Sequence, residues 1–241
     1  MKIENKMIKK KNNNRPEVLF FGRKDCNYSN LAEKHLKQYD LNINTVISSR
    51  RNEDLSKEVK DWSGDYIFCF RSLYIIPKIL IDETNKYVIN FHPGPPDYPG
   101  SGSVNLALYN SDKEFGVTAH LVNEKIDNGD IIECLKFPIE DKDDSVSLLE
   151  KTHKNLLTLF IKIVDEIFAA KDGSIEKKIV ENKDKKWIGE ANTISLIDNL
   201  QMVDPSITKE ELEKLITSVH TDDYPLKISI HDYDFYLKRN R

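Results

Sequence analysis

Apolar residues along the first two thirds of the chain come in short bursts. EVLFFG (17–22), NINTVISS (42–49), DYIFCF (65–70) and YVINFH (87–92) are strand-length runs rich in β-branched and aromatic residues. Between the bursts the spacing changes. SNLAEKHLKQY (29–39) places Leu31, His35 and Leu36 at helical intervals behind Ser29, a candidate N-cap, and EDLSKEVKDW (53–62) also reads as helix. Strands alternating with helices at this rhythm predict βαβ units and a mostly parallel, doubly wound α/β sheet covered on both faces. SVNLALYN (103–110) reads as a short helix capped by Ser103, and GVTAHLV (116–122) and DIIECLKFPI (130–139) as further strands. Residues 145–170 carry the clearest helical stripe, Leu149, Leu156, Phe160, Ile163 and Ile167, with Gly173 as a terminator.

The last third is patterned differently. TKEELEKLI (208–216) opens on a Thr-x-x-Glu capping box, and LKISIHDYDFYLKR (226–239) alternates around HDYD, which predicts a β-hairpin. Ile228, Ile230, Tyr233 and Tyr236 are expected on one side of it, either as a dimer surface or packed on their own domain. The chain thus divides into a polar, basic tail (1–16), an α/β domain (17–180) and a helix-and-hairpin extension (181–241). The tail reads as a solvated segment, with contact to an anionic surface as the rival.

Composition narrows the function. The 241 residues include 36 lysines and arginines against 40 aspartates and glutamates, a net charge of −4. That weighs against nucleic-acid binding, which needs a basic face to displace counterions. Cys26, Cys69 and Cys134 are odd in number, far apart and without metal-ligand spacing, so a reduced, cytoplasmic chain is expected. Cys69 and Cys134 lie in apolar runs and read as small core residues. No apolar run reaches the length of a membrane span, and no apolar segment follows the N-terminal lysines as in a secretory signal.

The chemistry concentrates in VINFHPGPPDYPG (88–100). Alternation in a strand puts Asn90 and His92 on one face at its end, and four prolines then stiffen the exit. Ligands of open α/β sheets bind beyond the carboxyl ends of the strands, which is where this pair is expected. Downstream, GVTAHLVNEKIDNGDII (116–132) holds His120 and, seven residues later, Asp127 in the turn signal DNGD, so Asp127 is expected at a loop tip rather than in the core. Taken singly, Asn90 and His92 could cap backbone groups, Asp127 could be an ordinary turn residue, and His120 reads as a packed strand histidine. The prolines make either a plain rigid loop or a preformed pocket wall.

Together, Asn-x-His-Pro, a Pro/Gly-rich loop, and Gly-Val-Thr-x-His with Asp-x-Gly seven residues on resemble the formyltransferases that use N10-formyltetrahydrofolate. The resemblance covers roughly residues 17–170 and implies a Rossmann-like catalytic domain. It maps the family's catalytic residues onto Asn90, His92 and Asp127. It sets Tyr74, Ile75 and Ile76, with Asp127, against the folate co-substrate. HPGPPDYPGSGS in place of Pro-Ser-Leu-Leu-Pro is similar to the subgroup that acts on dTDP-linked amino sugars. This implies a sugar pocket walled by Pro93, Gly94, Tyr98 and Ser101. Arg71 is then a candidate for the diphosphate, with a surface salt bridge as the equal alternative. Tyr224 stacks on the thymine or simply anchors the hairpin.

The implied reaction is transfer of a formyl group to the amine of a dTDP-linked 4-amino-4,6-dideoxyhexose, first the gluco isomer, for surface polysaccharide (O-antigen) biosynthesis by a homodimer. His92 is expected as base. Asn90 is expected to donate to the oxyanion, and Asp127 to orient the imidazole and relay a proton. Neither a metal nor a covalent nucleophile is required. The rivals are transfer to a 3-amino sugar nucleotide or another amine, hydrolysis of the formyl folate, and a non-catalytic binding module.

Overall fold

The computed structural model describes residues 15–169 and 173–238. Residues 1–14 of the expected basic tail therefore lie outside the described residues. Six strands form one sheet in the order β2-β1-β3-β4-β5-β6. They are β1 (Glu17–Arg23), β2 (Asn42–Ser48), β3 (Gly64–Phe70), β4 (Thr84–His92), β5 (Glu114–Leu121) and β6 (Ile131–Pro138). β1 to β4 run parallel, whereas β4–β5 and β5–β6 pair antiparallel, so the sheet is mostly parallel. The continuous apolar run of β1 follows from its place inside the sheet. Val18 and Phe20 enter one core, and Leu19 and Phe21 enter the other.

One face is covered by α1 (Asn27–Leu36) and α5 (Ser145–Ala169), the other by α2 (Lys57–Lys60) and α3 (Lys78–Asp82). Phe160 of α5 anchors the first core. Its ring lies 4.8 Å from Phe91, 5.3 Å from Phe70 and 6.1 Å from both Phe20 and Phe68. Each such fully buried side chain contributes about 1.5–3 kcal/mol. α6 (Ser174–Glu181) docks on β6. Beyond it come α7 (Ile194–Leu200), α8 (Lys209–Ser218) and a hairpin of β7 (Lys227–Ile230) and β8 (Tyr233–Tyr236). A third apolar cluster, Leu106, Ile197, Val203, Leu215, Val219 and Leu226, seats this extension on α4 (Ser103–Tyr109).

Several local expectations are corrected. The first helix begins at Asn27 behind Cys26. Ser29 is not its cap but a buried acceptor for the Arg23 N–H at 2.9 Å. Its buried face is Ser29, Ala32 and Leu36, and Leu31 is exposed. Only Lys57–Lys60 of 53–62 is helical, because Ser56 caps there by accepting from Val59 N. Gly102, not Ser103, stands at the N-cap of α4. Leu149 is exposed, off the buried stripe of α5. Cys134 is only half-buried. Half of the expected capping box forms: Thr208 accepts from Glu211 N, while the Glu211 carboxylate accepts from Tyr109 OH at 2.7 Å. In the hairpin Ile228 pairs Phe235 and Ile230 pairs Tyr233, so Phe235 rather than Tyr236 completes the apolar face.

Candidate active site

The cross-strand register builds the site. Asn90 and His92 share a face of β4, and the antiparallel pairing sets Asn90 opposite His120 and His92 opposite Thr118. The chain then loops through 122–130 and returns with Asp127 in the left-handed region, φ 42°. Contrary to the loop-tip expectation, this carboxylate is buried, its side chain 8% exposed. It collects the polar groups of both strands. Asp127 Oδ2 lies 3.1 Å from His92 Nδ1 and accepts from Gly100 N at 2.8 Å. Oδ1 accepts from Asn90 Nδ2 at 3.2 Å and lies 3.3 Å from His120 Nε2. Only glycine fits at position 100, where φ is +84° and a Cβ would meet the Asn192 backbone at 2.4 Å.

The hydrogen-bond partners fix the protons. His92 Nε2 lies 2.9 Å from the Tyr98 carbonyl, which can only accept, and Nδ1 faces a carboxylate. Both ring nitrogens are therefore called on to donate. Burial acts to lower the His92 pKa, but the Asp127 charge, the Asp127 hydrogen bond and the Tyr98 carbonyl outweigh it, and the net shift is upward. Burial would likewise raise the Asp127 pKa. The His92 charge and hydrogen bond instead hold it well below the usual carboxylate range. The contacts and both shifts favour an imidazolium–carboxylate pair over a free imidazole. Asn90 is also engaged: Nδ2 donates to Asp127 and, at 3.0 Å, to His120 Nε2, whose Nδ1 donates to Leu121 O at 2.8 Å.

These groups open on a cleft of about 450 Å³. Tyr74, Ile75 and Ile76 line it together with Asp127, and so do Arg71, Pro93 and Ser101. Gly94 and Tyr98 do not line it. They stand behind the histidine: a Cβ on Gly94 would meet His92 Nε2 at 2.6 Å, and Tyr98 gives its carbonyl to that nitrogen while its hydroxyl donates to Asp112 at 2.6 Å. Tyr224 is also not among the lining residues; it is 70% exposed. Among the described residues no group of three or more His, Cys, Asp or Glu side chains is arranged to hold a metal ion.

Two parts of the site were not picked out in the sequence. Arg23 and Arg51 line the cleft beside Arg71, and Arg51 Nη2 donates to Ser101 Oγ at 3.3 Å. Arg23 ends β1, so the strand-end rule applied to Asn90 and His92 reaches it equally. The second is a strap after α6. Trp187 stands edge-on to both imidazoles, 5.5 Å from His92 and 4.9 Å from His120, and its indole N–H donates to Gly129 O at 2.8 Å. Gly129 permits this loop path because a Cβ there would lie 1.8 Å from Leu121 O. Ile188 N bonds Pro96 O, Asn192 N bonds Pro99 O, and Ser101 N bonds Asn192 O, so the strap laces the proline-rich loop. A lone tryptophan in a lysine-rich stretch gave no periodicity to mark it.

The chain matches the formyl transferase family over residues 5–164. A methionyl-tRNA formyltransferase of Bacteroides fragilis is 28% identical over 153 residues, 59% of this chain and 45% of its own. The chain spans about half the length of the curated relatives it matches. A 4-N formyltransferase from Francisella tularensis superposes with a TM-score of 0.70 at 19% identity, covering 92% of this chain and 96% of that one. The N-formyltransferase of Helicobacter canadensis, solved with folinic acid and dTDP-3-aminofucose, superposes with a TM-score of 0.62 at 17% identity, covering 90% and 85%.

Proposed function

The chain belongs to the formyl transferase family, and from that premise we propose that it moves a formyl group from N10-formyltetrahydrofolate to the amine of a dTDP-linked 4-amino-4,6-dideoxyhexose. The observation that carries the reading is the hydrogen-bonded Asn90–His92–Asp127 constellation, its histidine and carboxylate buried, facing a cleft that also holds three arginines. The Helicobacter complex with a dTDP-linked amino sugar supports a sugar acceptor. The same complex favours a 3-amino sugar as the second reading.

In the proposed mechanism the acceptor amine attacks the formyl carbon, forming a C–N bond and leaving an oxyanion and an ammonium. The His92 imidazolium stabilises the oxyanion by its charge, and Asn90 donates to it once the formyl oxygen replaces His120 as acceptor. One such donor contributes about 2.7–4 kcal/mol to lowering the barrier. As the C–N10 bond breaks, a proton moves from the ammonium to the folate nitrogen; His92 can carry it only through Nδ1, once Asp127 releases that hydrogen, because Nε2 is held on the Tyr98 carbonyl. Asp127 holds the charge throughout.

The experiment is to incubate the protein with N10-formyltetrahydrofolate and a panel of dTDP-amino sugars, following acceptor mass and released formate. We expect the 4-amino sugar to gain the mass of one CO. Formate release with no formylated sugar would replace the transferase reading with a hydrolase.

The reading includes a homodimer through the hairpin. Ile230, Tyr233 and Phe235 stand 47%, 73% and 57% exposed on one face, an apolar patch that a second copy would cover. Light scattering on the eluted protein should give twice the monomer mass, falling to the monomer mass for Phe235→Asp. A monomeric wild type removes the dimer and leaves the chemistry untouched.

A further inference from the structure

Arg71 follows β3 in the left-handed region, φ 57°, a conformation that a non-glycine residue adopts only when its surroundings hold it there. It is half-buried at the cleft wall, and such a guanidinium is ordinarily paired with a carboxylate. Here its partner is a ring. Arg71 Nη1 lies 2.8 Å from His153 Nδ1, and since arginine only donates, Nδ1 accepts and the ring hydrogen sits on Nε2. His153 comes from the buried face of α5 and is 7% exposed. Its Nε2 is buried without a hydrogen-bond partner, and its ring packs against Tyr28 at 5.7 Å. Burial, then the charges of Arg71 and Arg23, push the His153 pKa down to about 3, so the ring is neutral at any working pH.

The charge of this corner is therefore met by no direct carboxylate contact, with Glu150 acting on Arg71 only at a distance. Among the described residues the arginines in ion pairs are Arg15 and Arg50, whereas Arg23, Arg51 and Arg71 have no carboxylate oxygen within 4.0 Å. The nearby Glu150 is engaged instead by the Tyr28 hydroxyl. Three unpaired cations on one cleft, in a chain of net charge −4, are arranged for an anion.

We propose that His153 is a positioning residue. It fixes the Arg71 guanidinium with a neutral acceptor, so that Arg71 and Arg23 keep their charge for anionic oxygens of the acceptor substrate. This rests on the proposed function for the identity of that acceptor, whose diphosphate supplies such oxygens. The carboxylates of a folate glutamate tail are the other source of the same chemistry.

The test compares neutral and charged replacements of equal reach. His153→Gln offers an amide oxygen to Arg71, and His153→Glu offers a carboxylate that cancels its charge. Calorimetry with inorganic pyrophosphate, which needs no turnover, should give wild-type affinity for Gln and about tenfold weaker binding for Glu. In the transfer assay Glu should raise the acceptor KM about tenfold, with kcat and the folate KM unchanged. Arg71→Met should reproduce the Glu result, and the double variant should add nothing further. Thermal melts establish that each variant folds. Equal behaviour of Gln and Glu, or a rise in the folate KM instead, would overturn the proposal. Absence of transfer with pyrophosphate binding intact would count against the acceptor reading alone.

Discussion

Replacing Asp127 by alanine is expected to lower formyl transfer by about 10³-fold and to destabilise the fold by about 3–5 kcal/mol. The carboxylate holds four groups together: His92, Asn90, the Gly100 N–H and the edge of His120. Alanine removes the counter-charge that keeps the buried His92 ring protonated and leaves the part-buried Asn90 and Gly100 donors without this acceptor, each at about 1–3 kcal/mol. Asp127→Asn separates charge from shape, since the amide fills the same space. Without the carboxylate, burial becomes the dominant influence on His92 and lowers its pKa, so the ring should be neutral at pH 7.

The sign of the pH dependence follows from the two shifts. The raised His92 pKa gives stability that is complete below about 6.5 and is lost as pH rises through the folded value. The depressed Asp127 pKa gives stability present above about 3.9 and lost as pH falls through the folded value. Urea unfolding across pH should show both limbs in the wild type and neither in Asp127→Asn. Nitrogen-15 spectra of labelled histidine should show two protonated ring nitrogens at pH 7 in the wild type and one in the variant. A wild-type His92 with one protonated nitrogen at pH 7 would falsify the charged pair.

The strands were legible because each is a β-branched or aromatic burst bounded by turn residues. Val18 to Phe21 is apolar on both faces, as an interior parallel strand requires. The spacing of Asn90 from His92 and of His120 from Asp127 likewise placed the residues that meet. Caps were less legible, because Ser29 and Ser103 are good capping types whose use depends on where the preceding strand releases the chain. Asp127 read as a turn residue because DNGD describes a backbone path but not the direction of a side chain. Its burial depends on the register that sets Asn90 against His120. The protonation of His92 was hidden for a similar reason. One of its causes, the Tyr98 carbonyl, is six residues away, and no side-chain pattern encodes where a main-chain oxygen points. The strap with Trp187 escaped because its bonds to Pro96, Pro99 and Gly129 are mostly backbone bonds between distant segments.

The sharpest separation of acid from base comes from His92→Asn. It should lower kcat by about 10²-fold or more with little change in either KM, because the charge it removes acts on the transition state rather than on bound ground states. The fold should survive, since an amide can still meet Tyr98 O or Asp127. The pH profile of kcat, with both substrates saturating, then decides the role. If the imidazolium is the working form, kcat falls as pH rises through the His92 pKa, which lies above 6.5. If a neutral base were the working form, kcat would instead fall on the acid side of the same pKa. The alkaline limb is expected in the wild type, is expected to vanish in His92→Asn, and should move to lower pH in Asp127→Asn in step with the nitrogen-15 titration. An acid limb that disappears in His92→Asn would return the ring to the role of base. It would also require binding of the substrates to draw Asp127 or the Tyr98 carbonyl away from the ring before the amine attacks.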